Sequence, residues 1–257
     1  MNGGTINEAD AACQQCPALG VPPRATSRPS RCPRFAGRAR LWYIAPVRVT
    51  EIYKSIQGET THAGLPCTLV RFTACNLRCS WCDTPHAFHG GVERTRDDIR
   101  AEVRQLGAAL VLLTGGEPLL QRDLPELASE LLADGHRVMV ETGGHLDIEP
   151  LPHGCIVILD VKCPGSGESA RNLLSNLDHL EAGDEVKFVI ADEADFRFAA
   201  ELVRSGRIPD CAELLYSPVY GACDARALVK WVLDSGLRGR VQLQLHKYIW
   251  GADAQGV

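Results

Sequence analysis

Three closely spaced cysteines carry the most specific chemistry in this 257-residue chain. Cys75, Cys79 and Cys82 form a Cys-x3-Cys-x2-Cys cluster directly after the apolar run at residues 68–72, so we expect a loop leaving a strand to carry the thiols. A structural zinc site closes with four protein ligands, whereas a [4Fe-4S] cluster held by three cysteines keeps one iron open to an outside ligand. The spacing therefore predicts a [4Fe-4S] cluster whose open iron binds a reactant or a cofactor.

A glycine-rich motif follows the next apolar run, which covers residues 109–113. It reads Thr-Gly-Gly-Glu-Pro at residues 114–118. Glycine lets a backbone approach a ligand closely, and a carboxylate at a strand end can accept hydrogen bonds from an ammonium group. Together with the cysteine spacing, the motif resembles the radical S-adenosylmethionine (SAM) superfamily. The resemblance implies that the open iron binds the amino and carboxylate groups of SAM and that the Gly-Gly-Glu-Pro segment binds the same amino group.

Two other uses of the cysteines are less consistent with the sequence. Cys79, Cys82, His86 and His89 have a spacing that could form a Cys2His2 zinc site, but zinc leaves Cys75 and the glycine-rich motif unexplained. A disulfide framework is disfavoured because a chain of this size needs no covalent staples and its start does not resemble a secretory signal. We therefore expect reduced thiols in the cytoplasm.

The composition indicates a soluble enzyme with a small-molecule substrate. Hydrophobic residues make up 45% of the chain and the formal net charge is -5 at pH 7. No apolar stretch approaches the roughly 20 residues that a membrane span requires. The mild acidity argues against a broad surface for nucleic-acid phosphates. We expect neither a membrane nor a nucleic-acid partner.

The first part of the chain differs from the rest. Residues 1–42 are rich in Gly, Ala, Pro and Arg and lack periodic apolar positions, which predicts a disordered extension before a catalytic domain at residues 43–257. Within this extension Cys13, Cys16 and Cys32 suggest a second metal site and the arginines suggest an RNA-binding arm, but neither pattern is specific. Glu8 and Asp10 disfavour a mitochondrial presequence.

Short apolar runs alternate with helical patterns after the extension, which is typical of βα units around a parallel sheet. The predicted strands are residues 67–72, 109–113, 137–141, 156–160, 185–190, 213–217 and 241–245. The predicted helices are residues 123–133, with Asp123 as N-cap, 194–204 and 224–233. Six or seven strands are too few for a closed eightfold barrel, so the sequence predicts an α/β fold with an open, partial βα barrel of the radical SAM type.

Polar and glycine-rich residues follow most of these strands. They lie at residues 114–117, 141–144, 160–165, 217–220 and 246–248. Because ligands of βα folds bind at the carboxyl ends of the strands, these segments are predicted to line one site. For any single residue among them, a helix cap or a turn is an equally good explanation.

Further residues narrow the resemblance to one family. Gln57-Gly58-Glu59 precedes the first predicted strand, Arg71 lies within it, Asp83-Thr84 follows the third cysteine, and His246-Lys247 comes near the end. An arginine on an apolar strand faces either solvent or an anion, and its fork suits a carboxylate. From residue 43 to residue 250 the chain resembles the 7-carboxy-7-deazaguanine synthase family. The resemblance implies that 6-carboxy-5,6,7,8-tetrahydropterin is converted into 7-carboxy-7-deazaguanine with loss of ammonia, through a 5′-deoxyadenosyl radical, on the route to queuosine.

The resemblance also implies a role for each matched position. Cys75, Cys79 and Cys82 are expected to hold the [4Fe-4S] cluster. The expected SAM contacts are Trp81, Cys82, Asp83, Gly116, Glu117, Thr142, Asp160, Val161 and Lys162. The expected pterin contacts are Ile56, Gln57, Gly58, Arg71 and Thr114. Thr84 is expected to join a Mg2+ ion bridged by the carboxylate and carbonyl oxygens of the substrate, which suits the preference of magnesium for oxygen. The expected partners are an electron donor such as flavodoxin and a second copy of the chain in a homodimer.

Other functions remain open from the sequence. An activating enzyme for a glycyl-radical protein uses the same cysteine spacing, and a non-enzymatic iron-sulfur or zinc module would use only the cysteines. A radical SAM enzyme with another purine or pterin substrate is a third alternative. Among the remaining cysteines, Cys67, Cys155, Cys211 and Cys223 are predicted to pack as small buried hydrophobes, whereas Cys163 lies near the predicted site and has no assigned role.

Overall fold

The computed structural model describes residues 47–252 and 254–257, so the predicted extension at residues 1–42 lies outside the described residues. The strands are β1 (Val47–Ile56), β2 (Pro66–Phe72), β3 (Val92–Arg94), β4 (Leu110–Gly115), β5 (Arg137–Thr142), β6 (Ile156–Asp160), β7 (Glu185–Ile190), β8 (Glu213–Pro218) and β9 (Arg240–Val241). The α-helices are α1 (Arg96–Leu106), α2 (Leu124–Ala133), α3 (Glu193–Arg204), α4 (Ala225–Ser235) and α5 (Leu245–Trp250). Short 3-10 turns occupy several of the connections.

The strands form one sheet in the order β3-β1-β2-β4-β5-β6-β7-β8-β9. From β2 onward every neighbouring pair is parallel, whereas β1 runs antiparallel to both β2 and β3. Within the described residues β3 and β9 do not pair with each other, so the sheet is open. The predicted α/β fold with an open, mostly parallel sheet is confirmed. No helix of this part of the chain has the length and apolar character needed to cross a bilayer.

Three elements were missed and one predicted strand is wrong, because charged residues or contacts distant in sequence determine the conformation of these segments. β1 and β3 were not predicted, and α1 was also missed because its sequence is mostly charged and buries only Ile99 and Val103. The predicted strand at residues 241–245 is wrong: β9 ends at Val241, and the amide of Leu245 donates to the carbonyl of Gly58 at 2.9 Å as α5 begins. Its alternating apolar pattern is typical of a strand, but a contact distant in sequence determines the conformation.

Asp123 takes the predicted N-cap position of α2 but does not cap the helix with its side chain. Its carboxylate instead accepts a hydrogen bond from Arg96 Nη1 at 2.7 Å, which ties α2 to the start of α1. The N-cap of α1 shows the usual arrangement, because Thr95 and Asp98 form a reciprocal capping box.

The inner, concave face of the sheet changes from apolar to polar along the strands. Its apolar layer consists of Cys67, Leu110, Leu112, Met139 and Ile158, with Leu69 and Ile156 packed against them. Side chains two residues apart on a strand share a face. The next inward positions are therefore Arg71, Thr114, Glu141 and Asp160, and Lys187 of β7 joins them through its contact with Glu141. This polar layer lies at the carboxyl ends of the strands, where the predicted site was placed.

Candidate active site

The loop after β2 carries the three cysteines. All three are partly exposed free thiols. The amide of Leu77 donates to Cys75 Sγ at 3.4 Å, and the amide of Cys82 donates to the carbonyl of Cys79 at 3.2 Å. Burial raises the pKa of the Cys75 and Cys79 thiols, and the nearby ammonium of Lys162 opposes this shift. Since only thiolates bind metals well, a cationic neighbour favours their use as ligands.

The alternative zinc site is not assembled among the described residues. Among the described residues, neither the three cysteines nor the alternative zinc set forms a group of three ligand atoms lying within 4.8 Å of one another. In addition, His86 Nε2 faces away toward Glu51, at 3.6 Å from its Oε1 atom. Three thiols spread over one loop, with an amide donating to one sulfur, match the donors expected for a [4Fe-4S] cluster.

The glycine-rich motif after β4 docks directly on the cysteine loop through its backbone. The amide of Gly116 donates to the carbonyl of Phe72 at 3.0 Å, and the amide of Glu117 donates to the carbonyl of Ala74 at 2.8 Å. A Cβ atom on Gly116 would lie 2.2 Å from the Ala74 oxygen and 2.9 Å from the Cβ of Cys75. Gly115 has a φ of +148°, and a Cβ there would lie 2.4 Å from the Phe72 oxygen. Glycine is required at both positions for this approach.

The carboxylate of Glu117 is fully buried and accepts hydrogen bonds from the chain itself. Its donors are the amide of Leu119 at 3.0 Å, the Thr142 hydroxyl at 2.8 Å and the amide of Gly143 at 2.8 Å. Burial raises the pKa of this carboxyl, although these hydrogen bonds oppose the shift. Glu117 and Thr142, both predicted SAM contacts, thus join the loop after β4 to the end of β5.

The segment after β6 approaches the cysteine loop from the other side. Lys162 Nζ donates to Asp160 Oδ2 at 2.7 Å. Burial alone would lower the pKa of Lys162, but the Asp160 carboxylate raises it. Asp160 Oδ1 is a buried atom without a hydrogen-bond partner among the described residues, so it can still accept a donor from a ligand. The side chain of Val161 packs into the hydrophobic core between the sheet and helices α3 and α4, so only its backbone can contact a ligand.

The 3-10 turn Pro164–Ser166, which follows this segment, packs against the cysteine loop. The amide of Ser80 donates to the carbonyl of Ser166 at 3.0 Å. Trp81, a predicted SAM contact, lies against Gly165: a Cβ at this glycine would be 3.1 Å from the indole ring. Cys163 is buried in the same hydrophobic core as Val161, and burial raises the pKa of its thiol. This cysteine therefore packs as a hydrophobe.

The remaining cysteines follow the packing prediction only in part. Cys67 lies in the apolar layer, and burial raises the pKa of its thiol to about 12. Cys155 and Cys223 are half-buried. The prediction for Cys211 is wrong because this residue is exposed.

The segment at residues 56–59 closes the concave face together with the start of α5. Gln57 is buried, with its amide nitrogen 3.9 Å from Met139 Sδ in the apolar layer. Gly58 contacts the chain so closely that a Cβ would lie 2.2 Å from His246 Nδ1. Gln244 donates to Glu59 Oε1 at 2.9 Å. Contacts from Glu59 through Lys187 and Glu141 to the Thr114 hydroxyl thus link the predicted pterin contacts at residues 56–58 to Thr114.

Arg71 forms an ion pair with a carboxylate of the protein itself. Its Nε donates to Glu51 Oε1 at 2.7 Å, and its Nη2 donates to the Tyr53 hydroxyl at 3.4 Å. Both partners lie on β1, which the sequence prediction missed. Thr84, the predicted magnesium ligand, places its hydroxyl 3.9 Å from Cys82 Sγ.

Asp83 connects the cysteine loop to the end of the chain. Lys247 Nζ lies 2.9 Å from Asp83 Oδ2, and Gln244 Nε2 lies 3.3 Å from the same oxygen. Burial alone would raise the pKa of Asp83, but the Lys247 ammonium lowers it. These contacts place α5 over the site.

Sequence reasoning missed Lys187 as a site residue, and it placed Glu141 at the predicted site without giving it a role. Lys187 Nζ lies 3.0 Å from Glu59 Oε2 and also contacts Glu141 Oε1, while the Thr114 hydroxyl donates to Glu141 Oε2 at 3.2 Å. A signal was present in both cases, because each is a charged residue on an apolar strand buried on both faces.

Comparison with known proteins identifies the family. A model of the radical SAM superfamily matches residues 69–153. The 7-carboxy-7-deazaguanine synthase of Koribacter versatilis is 43% identical over 226 residues, covering 82% of this chain and 100% of the relative. That of Chlorobaculum tepidum is 40% identical over 217 residues, covering 83% and 98%. The crystal structure of QueE from Escherichia coli superimposes with a TM-score of 0.66 at 21% identity, covering 78% of this chain and 95% of the other, and it supports the fold.

These two relatives match along nearly their whole length at 40% identity or more. The parallel sheet and the three-cysteine loop docked on a glycine-rich motif agree with this assignment. The chain therefore belongs to the 7-carboxy-7-deazaguanine synthase family of the radical SAM superfamily.

Proposed function

We propose that this protein is a radical SAM lyase that converts 6-carboxy-5,6,7,8-tetrahydropterin into 7-carboxy-7-deazaguanine with loss of ammonia, in the synthesis of queuosine or another 7-deazapurine. The observation that carries the proposal is the contact between two regions, which Gln244 links by donating to Asp83 after the third cysteine and to Glu59 beside the polar layer. One is the half-exposed cysteine loop held by Gly115 and Gly116, and the other is a buried polar layer suited to a small polar heterocycle. The full-length match to named synthases supports the same reaction.

Cys75, Cys79 and Cys82 would hold a [4Fe-4S] cluster and leave one iron open for SAM. When bound, the cluster and SAM supply the radical chemistry, which the protein itself cannot provide. Around SAM, Gly115 and Gly116 would hold the loop after β4 against the cysteine loop, so that both loops contact the cofactor. The free Asp160 Oδ1 can accept from a hydroxyl or an ammonium group, and the Lys162 ammonium balances negative charge at the cysteines.

The chain's contribution to the substrate is binding, orientation and exclusion of water. Ile56, Gln57, Gly58 and Thr114 are proposed to contact the pterin; Gln57 adjoins the apolar layer at Met139, and Thr114 belongs to the polar layer. Arg71 is proposed to face the substrate carboxylate with its remaining donors. The α5 segment covers the site through the Lys247–Asp83 contact, which limits access of stray hydrogen donors.

Three further features belong to the proposal. Thr84 is proposed to join Mg2+ because its hydroxyl is a hard oxygen donor beside the cysteine loop. We also propose a homodimer and an external one-electron donor such as flavodoxin. A cytoplasmic location would keep the thiols reduced.

The test is an anaerobic turnover experiment. The reconstituted, reduced protein receives SAM, Mg2+ and 6-carboxytetrahydropterin, and 7-carboxy-7-deazaguanine and 5′-deoxyadenosine are followed by mass spectrometry. We expect deazaguanine without stoichiometric loss of SAM, and slower turnover when Mg2+ is omitted. Cys79→Ala serves as the matched control for background chemistry.

Two results would contradict the proposal in different ways. Formation of 5′-deoxyadenosine alone would retain the radical SAM chemistry and reject this substrate, which favours a glycyl-radical partner or another heterocycle. Absence of both products from a protein that carries iron and sulfide would reject radical SAM chemistry and leave a binding module.

A further inference from the structure

Three charged side chains form a cluster in the polar layer that no step above uses. Lys187 is 5% exposed, and its Nζ lies 3.0 Å from Glu59 Oε2 and in direct contact with Glu141 Oε1. We call these residues the Lys187 cluster. Glu59 comes from the segment after β1, Glu141 from β5 and Lys187 from β7, so the cluster joins three separate parts of the chain.

The two carboxylates are held by four contacts and retain acceptor capacity. Glu59 accepts from Gln244 at 2.9 Å as well as from Lys187, and Glu141 accepts from the Thr114 hydroxyl at 3.2 Å as well as from Lys187. A carboxylate has about four lone-pair positions, so each retains free ones. Burial alone would raise the pKa of Glu59, but the Lys187 ammonium lowers it below its usual value.

Stability alone does not account for such a cluster. A buried ion pair contributes little compared with well-packed apolar side chains of the same volume, and here two carboxylates share one ammonium. The adjoining inward positions on β4, β5 and β6 are apolar, so an apolar continuation was available beside Glu141, whereas the adjoining position on β7 is the buried Glu185. The cluster also adjoins the proposed pterin contacts, because Glu59 follows Gly58 in the chain and Glu141 accepts from Thr114, and the Glu141 side chain is still 24% exposed. Its one uncompensated negative charge therefore suits a ligand that offers N–H donors.

We propose that Lys187 is a positioning residue for substrate recognition. It holds Glu59 and Glu141 side by side so that their free lone pairs accept the N–H donors of the substrate's aminopyrimidinone ring. The inference rests on the proposed function, since it names the part of that substrate to which the cluster binds. The exocyclic amine and the neighbouring ring N–H of a pterin form a donor edge that matches carboxylate oxygens.

The experiment uses two unreactive probes on the reconstituted protein with SAM bound. One is 6-carboxypterin, and the other is 6-carboxylumazine, in which an oxygen replaces the exocyclic amine. Dissociation constants are measured by pterin fluorescence for the wild type, Lys187→Met, Glu141→Gln and the double variant. Lys230→Met, an exposed lysine paired with Asp234 on α4, is the matched control.

We expect the wild type to prefer the pterin by at least about 10-fold, because a site built for a donor rejects an analogue that lacks it. Lys187→Met should weaken pterin binding by about 100-fold and remove the preference, since two unneutralised carboxylates then repel each other. Glu141→Gln should weaken binding by about 10-fold. In the double variant the loss should be smaller than the product of the two single losses, because the repulsion is relieved. Turnover should show a raised KM with a smaller change in kcat.

Several results would overturn the inference. One is a Lys187→Met protein that keeps the pterin preference, and another is strict additivity in the double variant. A loss of affinity for SAM equal to that for the pterin would indicate a general structural defect instead. Should Lys187→Met fail to fold, an unchanged preference in Glu141→Gln would reject the inference on its own. A wild type that binds neither probe and makes no deazaguanine would reject the proposed function, which is a separate outcome.

Discussion

The two sides of the concavity are built in opposite ways. Where the loops after β2 and β4 meet beside the cysteines, backbone groups make the contacts: their amides and carbonyls pair with each other, and two glycines allow the approach. On the side of β5 to β7, side chains pair with side chains, in the Lys187 cluster and in the Asp160–Lys162 pair. The cysteine side should therefore tolerate shortened side chains but not added Cβ atoms. The charged side should tolerate neither the loss of a charge nor its reversal.

The largest effect is expected from Cys79→Ala on the cysteine side. Removal of one of three ligands should abolish cluster binding, measured as iron and sulfide content and as visible absorbance after reconstitution. The free energy of unfolding of the iron-free protein should change by less than about 1 kcal/mol, because the thiol is half-exposed. Cys211→Ala, at an exposed cysteine, is the control and should retain the cluster. A Cys79→Ala protein with full iron content would reject the ligand assignment.

Gly116→Ala tests the backbone construction directly. The added Cβ would meet the Ala74 oxygen at 2.2 Å, so the cysteine loop must shift, and we expect a loss of about 2 to 3 kcal/mol of unfolding free energy together with reduced iron loading. Urea unfolding of the iron-free protein measures the first effect. Gly135→Ala is the control: its φ is +90° with nothing within 4 Å, so only backbone strain of about 1 kcal/mol applies. Equal losses in the two variants would show that the loop contact is not tight.

The same contrast explains how much of the site the sequence revealed. The cysteines and the Gly-Gly-Glu-Pro motif are contiguous in sequence, so their spacing is readable and their loop positions were predicted. The Lys187 cluster joins residues 128 and 46 positions apart, a relation that only the folded sheet creates. Within the fold, apolar strands buried on both faces were predicted well. β1 and α1 were missed because exposed charges interrupt their apolar patterns. A strand was wrongly predicted at residues 241–245 because the contact of Leu245 with Gly58, which is distant in sequence, determines the conformation there.

His145 lies where the two sides meet, and its protonation should couple acid to stability. Its Nε2 contacts Asn76 Oδ1 in the cysteine loop, and its Nδ1 lies 3.6 Å from Glu117 Oε2. Burial, with Arg171 and Lys162 nearby, lowers the pKa of His145 to about 4 from 6.5. Below the unfolded pKa the unfolded chain binds a proton that the folded chain excludes, so stability falls as the pH drops toward 4.

We expect the iron-free wild type to lose about 1 to 2 kcal/mol more stability than His145→Asn between about pH 7 and pH 5, a range discounted for partial solvent access to the loop. Urea unfolding at a series of pH values measures the difference. His153→Asn, at an exposed histidine paired with Glu181, is the control and should parallel the wild type. Parallel curves for the wild type and His145→Asn would show that the imidazole accepts a proton freely in the folded state.

The smallest effect concerns Lys162 and Asp160, whose charges act on Cys79 from the end of β6. Burial raises the pKa of the Cys79 thiol, the Lys162 ammonium lowers it, and the Asp160 carboxylate raises it. In Lys162→Met, burial and the Asp160 carboxylate still raise the pKa of Cys79, and nothing replaces the lost ammonium. The thiolate fraction should therefore fall, and alkylation of Cys79 at mildly alkaline pH should slow by about 2- to 5-fold in the iron-free protein. Mass spectrometry of the Cys79 peptide gives the rate, and the exposed Cys211 is an internal reference. Asp160→Asn should act in the opposite direction. If both variants alkylate Cys79 at the wild-type rate, the two sides are electrostatically independent, and Lys162 serves only its pair with Asp160.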